Sequence, residues 1–247
     1  MNFKDYFSAQ SDAYARYRPE YPEELYRFLL GLVPSRQKAW DCATGNGQVA
    51  VRLAQYFETV FATDASEAQI SHAKHLSNIQ YRVATAENSG LPSESVQLIT
   101  VGQALHWFNF DAFYKEARRV AADNALLAVW GYELCEINPE IDAVFMRYYR
   151  DILSPFWPPE REYVEKRYQT IPFPFTDLKV PGFFLYLKHN LEGFMGYLSS
   201  WSATQKYLKQ VGKNPLELIE SDLIKAWGNP EEVKTLKFPL FLRAAYL

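Results

Sequence analysis

The stretch Ala39-Trp40-Asp41-Cys42-Ala43-Thr44-Gly45-Asn46-Gly47-Gln48 is where the fold of this chain is decided. A short apolar run enters it, which predicts a strand. Apolar residues at helical spacing leave it, which predicts a helix. Three small residues, Ala43, Gly45 and Gly47, alternate across the turn between them. Small residues allow a sharp bend and let a ligand approach the main chain. A helix starting near Gly47 turns its free N–H groups toward whatever lies in the turn. The pattern is that of the first βα turn in a nucleotide-binding α/β sheet.

The same alternation continues outward. Strand patterns cover Ala39–Cys42, Thr59–Thr63, Ile79–Val83, Val96–Val101 and Ala125–Trp130. They end respectively at the glycine turn, at Asp64, at Thr85-Ala86-Glu87, at Gly102-Gln103-Ala104-Leu105-His106-Trp107, and near Tyr132. Helical patterns cover Gly47–Tyr56, Ser66–His75 and Phe110–Val120, with a capping box at Ser66 and Gln69. Strands alternating with helices predict a Rossmann-like α/β fold. Two later strand patterns, Phe183–His189 and Thr235–Tyr246, bring the sheet to seven strands: doubly wound, mostly parallel, with helices on both faces. The strand ends then share one edge, where such folds bind ligands.

Three segments follow. Residues 1–36 form an N-terminal lid and first helix, with Pro22 as the first helical residue and Phe7, Tyr14, Tyr17 and Tyr21 patterned ahead of it. Residues 37–132 form the nucleotide-binding core. Residues 133–247 carry helical patterns over Ile141–Leu153, Leu191–Leu208 and Pro215–Trp227, a substrate-capping lobe, together with the last two strands. In the lid, Arg18 can clamp a carboxylate with both arms of its guanidinium, and Tyr14 can cover a ligand.

Composition narrows the function. Hydrophobic residues make up 48% of the 247, enough for a large core with an inserted lobe. A net charge of −3 gives no long-range attraction to nucleic acid or an acidic membrane. The two cysteines, Cys42 and Cys135, provide neither a disulfide framework nor metal-ligand spacing. A reducing cytoplasm, with no metal site, is the default expectation.

The glycine turn alone leaves the nucleotide open. Gly45-x-Gly47-x-x-Ala50 with Asp64 fits a dinucleotide fingerprint. Three features point elsewhere. Asp41 stands between strand and glycine, where an acid meets an ammonium group that dinucleotides lack. A Tyr-x-x-x-Lys pair, used by some nicotinamide reductases, is absent. The third and fourth strand ends carry Ala86-Glu87 and Gln103-x-x-His106-Trp107. From about Lys38 to Trp130 the chain resembles a class I S-adenosylmethionine-dependent methyltransferase, with Asp41-x-Ala43-x-Gly45-x-Gly47 in place of the family's acid and Gly-x-Gly-x-Gly. Tyr14-x-x-x-Arg18-Pro19-x-Tyr21-Pro22, His106-Trp107 and Ser200-Trp201-Ser202 are similar to the subgroup of trans-aconitate methyltransferase-like enzymes.

The resemblance implies roles. Ala43, Gly45 and Gly47 let the backbone meet the methionine part of the cofactor, and Asp41 holds its ammonium. Asp64 accepts from both ribose hydroxyls, as the two oxygens of a carboxylate can, or else caps the next helix. Ala65, Ala86 and Glu87 lie against adenine, and Gln103 faces the methionine or the sulfonium. Tyr14 covers the cofactor, and Arg18 clamps either the cofactor's carboxylate or an anionic acceptor. Ala43 is compatible with the turn if its φ stays negative. Thr85 stands where relatives place an acid, and Ala121–Ala125 replace a Lys-Pro-Gly-Gly turn.

Methyl transfer from a sulfonium is an in-line displacement, so the protein must mainly align the reactants and exclude water. A carboxylate acceptor needs no base. A hydroxyl needs one, and His106 is the candidate, as base or orienting residue. Trp107, Trp201 and Tyr21 form the expected substrate pocket, with the cofactor S-adenosylmethionine becoming S-adenosylhomocysteine. Two alternatives remain at this point: a nicotinamide oxidoreductase, and a non-catalytic cofactor-binding module.

Overall fold

The computed structural model describes Tyr17 and residues 19–247. Phe7, Tyr14 and Arg18, and with them most of the expected lid, lie outside the described residues. Seven strands form one sheet: β1 (Lys38–Cys42), β2 (Thr59–Asp64), β3 (Ile79–Val83), β4 (Val96–Gly102), β5 (Ala121–Tyr132), β6 (Phe183–His189) and β7 (Lys234–Tyr246). Their order is β3-β2-β1-β4-β5-β7-β6. The β1–β2, β2–β3, β1–β4 and β4–β5 pairs are parallel, whereas β7 runs antiparallel to both β5 and β6. The order reverses between β1 and β4. A crevice opens there at the carboxyl ends of the strands, as in other open α/β sheets.

Both faces of the sheet are covered, so its central strands are apolar on both sides. The pleat sends alternate residues to opposite cores. Ala39, Leu98, Leu126 and Ala128 enter the core beneath α1 (Glu23–Leu32) and α2 (Gln48–Leu53). Trp40, Ile99, Leu127 and Val129 enter the other, beneath α4 (Phe110–Val120). The helix α3 (Glu67–Ser71) follows β2.

Local chemistry adjusts the predicted boundaries. Pro22 is extended (ψ 149°) and caps α1 rather than opening it. The α2 and α3 helices are half as long as expected, because turns replace their last residues. Ser66 does cap α3, accepting from Gln69 N at 3.3 Å. The span over Ile141–Leu153 divides into α5 (Pro139–Arg147) and a π-helical turn, Tyr148–Ile152. A short α6 (Arg161–Glu165) follows. The span over Leu191–Leu208 breaks at Ser200-Trp201 into α7 (Leu191–Ser199) and α8 (Ser202–Val211), and α9 covers Glu220–Trp227. That break turns Trp201 inward, leaving it 2% exposed among Tyr148, Tyr149, Trp157 and Tyr197.

Candidate active site

The glycine turn hangs from β1 at the switch point. Thr44 N donates to Thr63 O at 2.9 Å, which ties the turn to β2. Ala43 has φ +56°, not the negative value expected for a residue with a side chain. The left-handed region costs a non-glycine residue roughly 1–2 kcal/mol. The surrounding hydrogen bonds hold Ala43 there. Gly45 is also left-handed (φ +58°), and a side chain there would meet nothing nearer than Gln69 Oε1 at 3.8 Å. Its face is therefore open to a ligand.

Gly47 is small for a different reason. Its φ is +86°, and a Cβ there would lie 2.3 Å from the Tyr81 hydroxyl. Tyr81 comes from β3 and donates to Lys74 O at 3.0 Å. The space at Gly47 belongs to this tyrosine, a tertiary contact the local pattern does not show. Gly47→Ala should cost about 2–4 kcal/mol, combining backbone strain with overpacking. Gly212→Ala, at φ +75° with no atom within 4 Å, should cost only the backbone part. Urea denaturation of both variants checks this, and equal losses would mean that Tyr81 yields freely.

Two carboxylates organise the turn. Asp41 is 1% exposed and accepts from Thr44 Oγ1 at 2.5 Å and from Thr100 Oγ1 at 2.9 Å. Burial nevertheless pushes its pKa up to about 7, against the lowering effect of the two threonines. Asp64, at the end of β2, accepts from Gly45 N at 2.8 Å and from Ser66 N at 2.9 Å. Its carboxylate bridges the glycine turn and the cap of α3. Ala65 follows, half-buried, and Ala86 is buried beyond β3. Glu87 accepts from Asn109 N at 2.9 Å, so it braces the start of α4.

Across the switch point, Gln103 takes φ +56°. Its backbone N donates to Trp130 O at 2.7 Å, and its Oε1 accepts from Tyr132 N at 2.9 Å. Tyr21 packs edge-on against Trp130, with ring centroids 5.4 Å apart. A Cβ on Gly102 would lie 3.1 Å from the Tyr21 hydroxyl and 3.3 Å from Trp130 Nε1. Trp130 Nε1 is buried and has no hydrogen-bond partner among the described residues. An orphaned donor in a buried site costs about 1–3 kcal/mol, so this one, beside the crevice, suits a ligand acceptor.

A cavity open to solvent starts at Gln103 and runs under the lobe. His106 and Trp107 from the 3₁₀ turn after β4 line it, with Tyr132, Trp157, Arg161, Tyr197 and Trp201. Trp107 and Trp201, expected in the pocket, are thus in its wall, whereas Tyr21 lies beside Gly102 and is not among the lining residues. Arg161 was not foreseen. Its side chain lies over the rings of Tyr149 and Trp157, at 5.4 and 5.1 Å. Only the sequence Trp157-Pro158-Pro159-Glu160-Arg161, a cation beyond an aromatic and a proline pair, hinted at it. His106 is buried, and its Nδ1 lies 2.8 Å from the Tyr168 hydroxyl. Burial, aided by the Arg161 charge, pushes its pKa down to about 3. The imidazole is neutral at physiological pH. Of the other histidines, His72 and His75 are exposed, and His189 packs against Tyr17.

A reversed α/β sheet with an acid-anchored small-residue turn and a second acid after β2 defines a class I, Rossmann-like methyltransferase core. The comparisons agree. The methyltransferase domain family matches residues 40–129. A Dictyostelium discoideum protein bearing a methyltransferase name is 35% identical, over 97% of this chain and 94% of its own. A solved structure from Anaeromyxobacter dehalogenans, presented as a type II methyltransferase, is 42% identical with a TM-score of 0.86, covering 93% of this chain and 97% of that one. A Saccharomyces cerevisiae relative named for S-adenosylmethionine-dependent methyl transfer is 27% identical over 53% of this chain and 47% of its own. The chain belongs to the S-adenosylmethionine-dependent methyltransferases. Among the described residues, no group of three His, Cys, Asp or Glu side chains is arranged to hold a metal, and no helix is long and apolar enough to cross a membrane.

Proposed function

We propose that this enzyme methylates a small molecule held in the aromatic cavity beneath the lobe. One observation carries the proposal: Gln103 belongs both to the crevice at the strand-order reversal and to the cavity wall. A cofactor at the first and an acceptor in the second would meet at that residue. The chain's own groups fit S-adenosylmethionine. Gly45 leaves its face open, Asp41 is an acid beneath the turn, and Asp64 offers carboxylate oxygens beside Gly45. Trp130 Nε1 is a donor without a partner, suited to the cofactor's carboxylate. Ala43 and Gly47 shape the turn, Ala65, Ala86 and Glu87 border the adenine position, and Tyr14, Arg18 and Tyr21 contribute from the N-terminal side.

When bound, the cofactor supplies an activated methyl group. The protein's part is to align the acceptor and keep water out. Trp107, Trp157 and Trp201 supply apolar walls and electron-rich faces near which a sulfonium is favoured. A cavity walled on one side by the lobe residues Tyr197 and Trp201 favours a small acceptor over a protein or nucleic acid. A monomer or homodimer in the cytoplasm, working without metal, is part of the same proposal.

Calorimetric titration of S-adenosylmethionine, and separately of NADH, tests the cofactor. Micromolar binding of S-adenosylmethionine with none of NADH is expected. The reverse would overturn the proposal.

A further inference from the structure

The connection from β3 to β4 passes β2 and β1 without a helix. Residues 84–95 carry neither helix nor strand, so other contacts must hold them. Within them, Thr85-Ala86-Glu87-Asn88 forms a tight turn, closed by Asn88 N donating to Thr85 O at 3.3 Å. Ala86 and Glu87, which border the proposed adenine position, are its two central residues. One flank is fixed to the sheet, where Ala84 N donates to Asp64 O at 2.9 Å. The tip is braced by Glu87, which accepts from Asn109 N at 2.9 Å.

The other flank rests on one buried carboxylate, Glu116, from the middle of α4. Ser89 is buried too, and both its N (3.0 Å) and its Oγ (2.5 Å) donate to Glu116 Oε1. Leu91 N donates in turn to Ser89 Oγ at 3.2 Å. Arg119, three residues further along α4, donates to both Glu116 oxygens, each at 2.7 Å. This guanidinium holds the Glu116 carboxyl below the usual carboxylate range, against the effect of burial, and Ser89 adds to the lowering. Arg119 also donates to Leu91 O at 2.8 Å and to Ser93 Oγ at 3.1 Å. Stability alone does not call for this arrangement, because well-packed apolar residues often match or exceed a buried ion pair. The carboxylate adds a fixed geometry: one oxygen gathers two donors from a single loop residue.

We propose that Glu116, braced by Arg119, is a positioning residue for the cofactor's base: by holding Ser89 it fixes the Ala86–Glu87 tip and so sets selectivity for adenine. Adenine presents an acceptor, N1, beside a donor, its amino group. The main-chain groups of a turn tip match that order only when the tip is held in one orientation. Hypoxanthine reverses the order, with an N1–H beside a carbonyl oxygen. A site built to hydrogen-bond one pattern rejects another because its polar groups are left unpaired. This deepens the proposed function and rests on it.

The test uses the full chain, and calorimetric binding of S-adenosylhomocysteine is measured first. Absence of that binding would sink the proposed function rather than this inference. S-Inosylhomocysteine, which carries hypoxanthine in place of adenine, is then titrated. The wild type should prefer the adenine ligand by at least about tenfold. Glu116→Ala should weaken S-adenosylhomocysteine by at least about tenfold and bring the ratio between the two ligands close to one. Glu116→Gln keeps an oxygen for Ser89 and should restore most of both. Ser89→Ala removes one of the two donors and leaves α4 intact. It should lower the ratio in the same direction, and it carries the test if Glu116→Ala does not fold. A carboxylate that only stabilises the fold would lower the urea midpoint of Glu116→Ala and leave the ratio unchanged. That result, or equal affinity of the wild type for the two ligands, would overturn the inference.

Discussion

Asp64→Ala is expected to weaken S-adenosylhomocysteine binding by about a hundredfold or more, as read by calorimetry. Two losses combine. The carboxylate accepts from Gly45 N at 2.8 Å and Ser66 N at 2.9 Å, so it fixes the glycine turn against the cap of α3. Under the proposed function, it would also give the ribose a carboxylate acceptor at the end of β2. Hydrogen bonds to a charged group are worth roughly 1.5–3 kcal/mol each, and about 1.4 kcal/mol is tenfold in affinity. Two ribose contacts alone reach the stated loss. Asp64→Asn keeps one oxygen acceptor and should fall between the variant and the wild type. The stability cost, read from urea denaturation without ligand, reports the turn contacts separately. A destabilised Asp64→Ala with unchanged affinity would leave Asp64 a helix-capping residue only.

The frame of this site was legible in the sequence because it depends on short-range pattern. Strand periodicity set β1 to β4 to within a residue or so. In a parallel sheet this places Asp41, Asp64, Ala86 and Gln103 along one edge without any knowledge of packing. What escaped was set by contacts between distant segments. Ala43 is left-handed because the turn is tied to β2 through Thr63. Gly47 is small because Tyr81 of β3 lies over it. Arg161 reaches the cavity through a five-residue helix, held by Tyr149 from a π-helical turn and by Trp157 after a 3₁₀ turn. Neither turn has a periodicity to read. His106 was visible as a cavity residue at the end of β4. Its partner Tyr168, which decides what its ring can do, follows no strand and no long helix. The break at Ser200-Trp201 was hidden because neither Gly nor Pro marks it, only serines flanking a tryptophan.

Asp41→Asn should stabilise the ligand-free protein at alkaline pH while weakening its hold on the cofactor. Asp41 is buried beneath Thr44 and Thr100, and burial lifts its pKa from 3.8 to about 7. The folded value lies above the unfolded one, so between about pH 4 and pH 7 the folded state holds the extra proton. By linkage, the stabilisation associated with that proton is complete below about pH 4 and is lost as pH rises to about 7. At about 1.4 kcal/mol per unit, the loss is up to roughly 4 kcal/mol. The asparagine variant has no proton to lose. Its amide can donate to the two threonine hydroxyls, which both donate and accept. Urea midpoints at pH 5 and pH 8 should therefore diverge for the wild type and stay closer together for Asp41→Asn. The difference between the two proteins isolates this group from other titrations. The cofactor ammonium would reverse the balance, because a cation beside Asp41 favours its ionised form. Saturating S-adenosylhomocysteine should then flatten the wild-type pH dependence, and the variant should bind it at least about tenfold more weakly. The wild type would accept instability when empty in exchange for a charge that is useful when occupied. Parallel pH curves for the two ligand-free proteins would show instead that Asp41 is already ionised in the fold.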